Sequence, residues 1–204
     1  FYLLAKSGKH VDKSTIVGEL ERSWINLGYS SKSHEEKMKK RGKNYLEEYY
    51  QKYYDPKILP QLLEENFVIP LIRKNNERPL KIGGKMDRVD LLPDYSIEII
   101  DYKTSEKVPS QREVDRDMQL TFYGLAAWIL NEKPFGLDPK KIKLSLLYFE
   151  EMKKISSQRS VDELNKAIVD IYKKRTEIEN SDFRCSNGFL CKNCEYKMLC
   201  SGSD

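Results

Sequence analysis

The sequence predicts an α/β fold with helices packed on a sheet, and three observations predict it. Helical apolar spacing fills the first quarter of the chain. The apolar period then falls to two over three successive segments, as in strands. A fourth strand-like segment arrives only after another helical stretch, so it rejoins the sheet through a helical crossover. The order is helix, helix, three strands, helix, strand, helix, followed by a cysteine-rich tail.

Residues 11–26 read as the first helix, because Ile16, Leu20 and Trp24 recur four apart. A second begins near Ser33, where Ser33 and Glu36 fit a capping box. It runs through Tyr45, Leu46, Tyr49 and Tyr50 until Pro56 stops it. Such a tyrosine stripe is usually core, and its rings also suit stacking on bases. Phe67, Ile69 and Leu71 alternate in the first strand; residues 79–91 and 96–103 form the next two. Pro93, Asp94, Tyr95 and Ser96 make the turn between those two. Ser110 and Glu113 form another capping box, opening a helix that extends to Leu130. Pro134 and Gly136 punctuate, residues 141–149 read as a strand, and 161–179 as the last long helix.

A chain of 204 residues is long enough for one domain with a buried core. Charged residues make up 33% and no apolar run could cross a bilayer, so a cytoplasmic protein without a membrane partner is expected. The opening FYLLAKSGKH is too short an apolar stretch for a signal peptide. The chain does not begin with Met and is expected to continue upstream. A net charge of +4 permits a polyanionic partner without requiring one. The dense basic run Lys37–Lys43 reads as a solvated helix face.

The four cysteines, Cys185, Cys191, Cys194 and Cys200, all fall within the last twenty residues. Without a signal peptide a disulfide framework is not expected, and a metal or cluster site is. Four thiolates suit tetrahedral Zn²⁺ and a [4Fe–4S] cluster alike.

Asp87 lies seven positions before Asp94, and Asp101 seven after it. In a hairpin centred on Asp94 the two carboxylates face each other, with Cβ atoms about 4.5–5.5 Å apart. That repulsion is costly unless a divalent cation takes both as oxygen ligands. Lys103 follows Asp101 by two and shares its strand face. Such a trio suits phosphodiester hydrolysis: a metal polarises the phosphoryl oxygen and activates water. Lys103 orients that water or stabilises developing negative charge, and the Tyr102 carbonyl can add a metal ligand. The alternative is a solvent-facing ion pair, Asp101 with Lys103 or Asp87 with Arg88.

Gly84-Lys-Met-Asp-Arg-Val-Asp90 followed by Ile99-Ile-Asp-Tyr-Lys-Thr104 resembles two motifs of RecB-type nucleases in the PD-(D/E)XK superfamily. Asp94-Tyr-Ser-Ile-Glu98 looks like the hairpin joining them, and Asp117-Met-Gln-Leu-Thr-Phe-Tyr123 like the Q-x-x-x-Y motif of that branch. Cys191-x2-Cys194-x5-Cys200 is similar to the iron–sulfur cysteines of AddB-type and CRISPR-associated relatives. The resemblance covers residues 60–200. It implies a restriction-endonuclease-like α-β-β-β-α-β core with extra N-terminal helices. Residues 1–204 would form one domain: a helical region 1–58, a catalytic core 59–180 and a cysteine tail 181–204. It further implies Mg²⁺ or Mn²⁺ at Asp87 and Asp101, a catalytic Lys103, and Gln119 and Tyr123 positioning the substrate or the site. Positions 119 and 123 are i, i+4 neighbours on one helical face, where Tyr123 also fits as an ordinary core tyrosine.

The activity implied is exonuclease action on single-stranded DNA or duplex ends, in repair, recombination or CRISPR-type processing. A helicase in the same chain or complex is an implied partner. The alternative from another class is a DNA-binding module that does not cut and keeps a structural iron–sulfur or zinc site. Two features depart from the family. His10 and His34 sit outside the early Gly-x-x-x-His context of many relatives and are not assigned as ligands. No cysteine precedes Cys185, so either Cys185 is the fourth cluster ligand or that ligand lies upstream.

Overall fold

A computed structural model of the chain describes residues 2–8, 11–58, 60–72, 79–182 and 188–200. The chain divides into two compact units, Phe1–Asn165 and Lys166–Asp204. The first contains helices α1 (Tyr2–Lys6), α2 (Lys13–Ser23) and α3 (Lys32–Tyr53). Strands β1 (Pro60–Leu71), β2 (Leu80–Leu91) and β3 (Ile97–Lys103) follow, then helices α4 (Gln111–Val114) and α5 (Met118–Ile129) and strands β4 (Ile142–Tyr148) and β5 (Lys153–Ser157). Helix α6 (Val161–Glu179) begins in the first unit. The second unit also holds two short 3₁₀ turns, Phe189–Asn193 and Lys197–Leu199. Among the described residues no helix is long and apolar enough to cross a membrane.

The five strands lie in sequence order. β1, β2 and β3 form the predicted antiparallel meander, and β4 joins β3 in parallel after the helical crossover. β3 is the central strand, and Ile97 through Asp101 are all buried because both faces of the sheet are covered there. In the β2–β3 ladder Val89 pairs with Ile99 and Arg88 with Ile100, the register of a hairpin centred on Asp94. The turn is fastened by the Asp94 carboxylate, which accepts from the Ser96 backbone N–H at 3.1 Å and its hydroxyl at 2.6 Å.

The tyrosines of α3 belong to the core on one sheet face. Tyr49 is 3% exposed and packs in one cluster with Tyr2, Ile100, Leu147 and Met152. Arg88 is buried in that face. Its Nε donates to Asp90 Oδ1 at 2.7 Å, and Nη1 donates to the hydroxyls of Tyr49 (2.6 Å) and Tyr2. Burial alone would lower the guanidinium pKa, but Asp90 and the surrounding tyrosine hydroxyls raise it. Burial also pushes the Tyr2 hydroxyl up to about 12, so it stays a neutral partner. Arg88 thus pairs with Asp90 and not with Asp87.

α5 covers the opposite face. Phe67 of β1 stands across from Gly84 of β2 and meets the Tyr123 ring edge-on, at a centroid separation of 6.0 Å. A Cβ at position 84 would lie 2.6 Å from the Phe67 ring. Phe67 is 6% exposed and held against Tyr123, so it has no room to withdraw. The glycine of the Gly-Lys-Met-Asp segment therefore permits the packing that seats Tyr123.

Several elements differ from the sequence reading. The cap of α3 is Ser31, whose hydroxyl accepts from the His34 N–H, and not Ser33. The Ser110–Glu113 capping box is present, but the helix it opens stops at Val114 and restarts at Met118. Asp117 caps the restart, and the buried Arg159 donates to the Val114 and Asp117 carbonyls at 3.0 and 3.1 Å. A guanidinium from a distant loop thus adds a donor to two carbonyls at the break, which also accept from the Asp117 and Thr121 backbone N–H groups. β5 was not expected, because this edge strand buries only Ile155 among polar residues. α1, with its single turn, was not expected either.

Candidate active site

The two carboxylates meet where the sheet opens. The paired register of β2 and β3 ends at Arg88–Ile100, and the next positions are Asp87 and Asp101. Here Asp87 Oδ2 accepts from the Tyr102 backbone N–H at 2.9 Å, so a side chain replaces a ladder carbonyl. On the other side of Asp87, Glu64 lies between the pairs Leu63–Arg88 and Glu65–Met86. Its φ of 54° is a left-handed conformation that disfavours a regular strand. Glu64, Asp87 and Asp101 therefore form a row across three strands. Glu64 is exposed and paired with Lys85 at 2.5 Å.

Asp101 is 3% exposed, so its ion pair with Lys103 is buried on the carboxylate side and part-exposed on the ammonium side. Its Oδ1 accepts from Gln119 Nε2 at 2.9 Å and from the Tyr123 hydroxyl at 2.9 Å. Gln119 Nε2 also donates to the Tyr123 oxygen at 2.8 Å, and Gln119 Oε1 accepts from Lys103 Nζ at 2.6 Å. The ammonium fixes which way the amide points, because Lys103 can only donate. The Tyr123 oxygen also lies 3.0 Å from the Lys85 carbonyl, so its one proton has two acceptors. Burial raises the pKa of that hydroxyl, and the Asp101 charge raises it further. All four side chains expected from the sequence at this point are thus brought together: Asp101 and Lys103 from β3, Gln119 and Tyr123 from the first two turns of α5.

Asp101 Oδ2 is different. Lys103 Nζ lies 2.5 Å away, yet this buried oxygen accepts no hydrogen bond of acceptable geometry. Proximity without alignment satisfies the charge only in part and leaves lone pairs of this oxygen unfilled. A desolvated carboxylate oxygen, with a second carboxylate at the next strand, suits a hard divalent cation. The donor set present, Asp87 and Asp101, thus fits Mg²⁺ or Mn²⁺. It is a pair only: among the described residues no group of three or more His, Cys, Asp or Glu side chains is placed to hold a metal.

The cysteine site lies partly outside the described residues, because Cys185 does. Cys191 and Cys200 are partly buried, and Cys194 is exposed. Consecutive turns space them: the Cys194 N–H donates to the Cys191 carbonyl and the Lys197 N–H to the Cys194 carbonyl. Of the histidines, His34 accepts from the Ser30 N–H at 3.4 Å, while His10 lies outside the described residues.

Burial raises the Asp87 pKa, and the charges of Asp101 and Glu64 raise it further, against a lowering by the Tyr102 N–H. A carboxylate with a raised folded pKa costs stability once ionised. That cost is absent below the unfolded aspartate range and fully present above the folded pKa. Asp87→Asn keeps an acceptor for the Tyr102 N–H and removes the charge. In metal-free buffer at neutral pH it is expected to raise Tm, with the gain disappearing at pH values below the ordinary aspartate range. Thermal melts across pH check this, and a lowered Tm at neutral pH would contradict the like-charge account.

The chain matches the family model of the PD-(D/E)XK nuclease superfamily over residues 3–201. No curated protein matches it in sequence. Among solved structures, the crystal structure of SSO0001 aligns at 14% identity over 94% of this chain and 97% of that one. Its TM-score of 0.42 is too low to bear on the site. The five-stranded mixed sheet flanked by helices is the restriction-endonuclease-like fold, and this chain belongs to the PD-(D/E)XK nuclease superfamily.

Proposed function

We propose that the chain is a metal-dependent deoxyribonuclease whose catalytic centre is Asp87, Asp101 and Lys103, with Gln119 and Tyr123 as positioning residues. One observation carries the reading: Asp101 Oδ2 is buried and lacks a hydrogen bond, beside an ammonium and next to Asp87. Asp87, Asp101 and the Tyr102 carbonyl would hold Mg²⁺ or Mn²⁺. When bound, such an ion polarises a phosphoryl oxygen and lowers the pKa of water. Lys103, 28% exposed at its side chain, can reach a substrate phosphate from its place beside Asp101. There its ammonium offsets negative charge developing on the phosphoryl oxygens. Gln119 holds Lys103 and Asp101 at one amide, so the cation and the carboxylate keep a fixed spacing. The Tyr123 hydroxyl fixes Asp101 Oδ1 and leaves Oδ2 turned away from it.

Asp101→Asn and Lys103→Met are each expected to lower cutting of labelled single-stranded DNA in Mn²⁺ by at least about 100-fold, with the folded state retained by circular dichroism. Persistent cutting by either variant would refute this assignment of the centre. The finer reading is a RecB-type exonuclease acting on single strands or duplex ends. It rests on the Gln119–Tyr123 pair engaging Asp101 as the Q-x-x-x-Y resemblance implies. An exonuclease degrades linear strands and spares closed circles of the same sequence, so cutting of circles would overturn it.

We also propose that Cys185, Cys191, Cys194 and Cys200 hold a structural [4Fe–4S] cluster, with Zn²⁺ the chemical alternative. The reading is supported by four cysteines confined to one short tail. Anaerobic purification followed by elemental analysis is expected to find four iron atoms per chain. One zinc per chain would select the alternative, and neither metal would remove the site.

A further inference from the structure

The row that contains Lys103 continues across the sheet. Lys103 of β3 pairs with Tyr148 of β4, and Tyr148 pairs with Lys153 of β5. Paired residues of neighbouring strands share a sheet face, and successive residues of one strand alternate between faces. Ile100 and Leu147 belong to the core under α3, so Lys103 and Tyr148 face the other way, under α5. Lys154 lies over the Tyr53 ring of α3, which leaves Lys153 on the α5 face as well. We infer that Lys103, Tyr148 and Lys153 form a track for the sugar–phosphate backbone of a single strand, leading from the phosphate held at Asp87 and Asp101 to the sheet edge at β5. The inference rests on the nuclease reading and adds the path of the substrate away from the cut.

Each member has donor capacity that the protein does not use. Lys153 is exposed and is in no ion pair among the described residues. Its neighbour Lys154 is the contrast, since it is paired with Glu98 at 2.9 Å. Tyr148 is 6% exposed, so its ring is fixed in the sheet. Its hydroxyl has no hydrogen-bond partner among the described residues. That oxygen is not sealed off either: among the described residues the buried side-chain polar atoms without a partner are Asp101 Oδ2 and Glu150 Oε1. The ring is therefore buried and the hydroxyl reaches solvent. Burial raises its pKa, the Lys103 ammonium lowers it, and Asp117, Asp101 and Glu113 raise it. It stays protonated and can donate to an anion without adding a charge of its own. The two acidic neighbours on α4 and α5 are committed to helix caps. Asp117 accepts from the Leu120 N–H at 2.8 Å, and Glu113 from the Ser110 N–H at 2.7 Å.

Charge and continuity name the occupant. A cation, a neutral donor and a second cation stand in line, which complements a repeating anion. Neighbouring strands lie about 4.8 Å apart, so the row spans roughly 10 Å, and long side chains extend it. One line of donors follows one backbone. Lys103 belongs to both the centre and the row, so a strand with its phosphate at Asp101 is delivered directly onto Tyr148. Contacts of this kind position a strand without reading its bases.

The experiment measures binding of fluorescein-labelled single-stranded DNA by anisotropy, in EDTA and over a range of salt concentrations. Lys153→Gln keeps the length of the side chain and removes the charge. It is expected to weaken binding at least about threefold at low salt and to make the slope of log affinity against log salt shallower by about 0.7, the share of one phosphate contact on a single strand. Lys153→Arg is expected to restore both. Tyr148→Phe removes a neutral donor and is expected to weaken binding at least about threefold with the slope unchanged. Its Tm is expected to match the wild type, because the hydroxyl bonds nothing in the protein. Lys52→Ala, an exposed lysine of α3, is the control. Unchanged affinity in both Lys153→Gln and Tyr148→Phe, or an equal loss in Lys52→Ala, would overturn the track. Should Tyr148→Phe fold poorly, the hydroxyl is structural and the salt slope of Lys153→Gln decides. Cutting by a chain whose binding ignores both substitutions refutes the track and leaves the nuclease reading; binding through the row by a chain that never cuts does the reverse.

Discussion

The carboxylate of Asp101 is buried at the end of the central strand, and the rest of the active face is arranged around that charge. A desolvated carboxylate is costly unless its oxygens are answered. Oδ1 is answered twice from α5, by Gln119 and Tyr123. Oδ2 has a cation at 2.5 Å and no hydrogen bond. Glu98 on the same strand is also buried, and its Oε1 accepts from the Ser145 hydroxyl at 2.6 Å and pairs with Lys154 at 2.9 Å.

The two faces of the sheet divide the work. The face under α3 is rigid: Arg88, Asp90 and the hydroxyls of Tyr2 and Tyr49 form one connected polar group within an aromatic core. The face under α5 carries the proposed chemistry. Asp87 lies where the two meet, because its strand parts from β3 there. Its carboxylate takes the Tyr102 N–H on one side, and the left-handed Glu64 faces it on the other. The chain accepts local strain and like-charge repulsion at one point of an otherwise regular sheet, which is where function tends to be found.

Much of this was legible in the sequence because it depends on short-range geometry. A turn fastened by Asp94 sets the hairpin register, and the register sets Asp87 against Asp101 without further information. The i, i+2 and i, i+4 spacings put Lys103 beside Asp101 and Gln119 beside Tyr123 for the same reason. What was not legible depends on distant partners. Arg159 breaks the helix after Val114 from more than forty positions away, at Nη2 distances of 3.0 and 3.1 Å to carbonyls. Tyr2 joins Arg88 from the far end of the chain, and β5 exists because β4 offers it an edge, not because its own residues alternate. Local pattern carries no trace of such pairings.

The central claim is that Asp87 and Asp101 together bind a divalent metal. Crystals soaked in Mn²⁺ and measured at the manganese absorption edge test it most directly. The account predicts an anomalous peak between the two carboxylates, within coordination distance of Asp101 Oδ2. A map at saturating Mn²⁺ with no peak there, or with manganese bound only elsewhere on the chain, would contradict it.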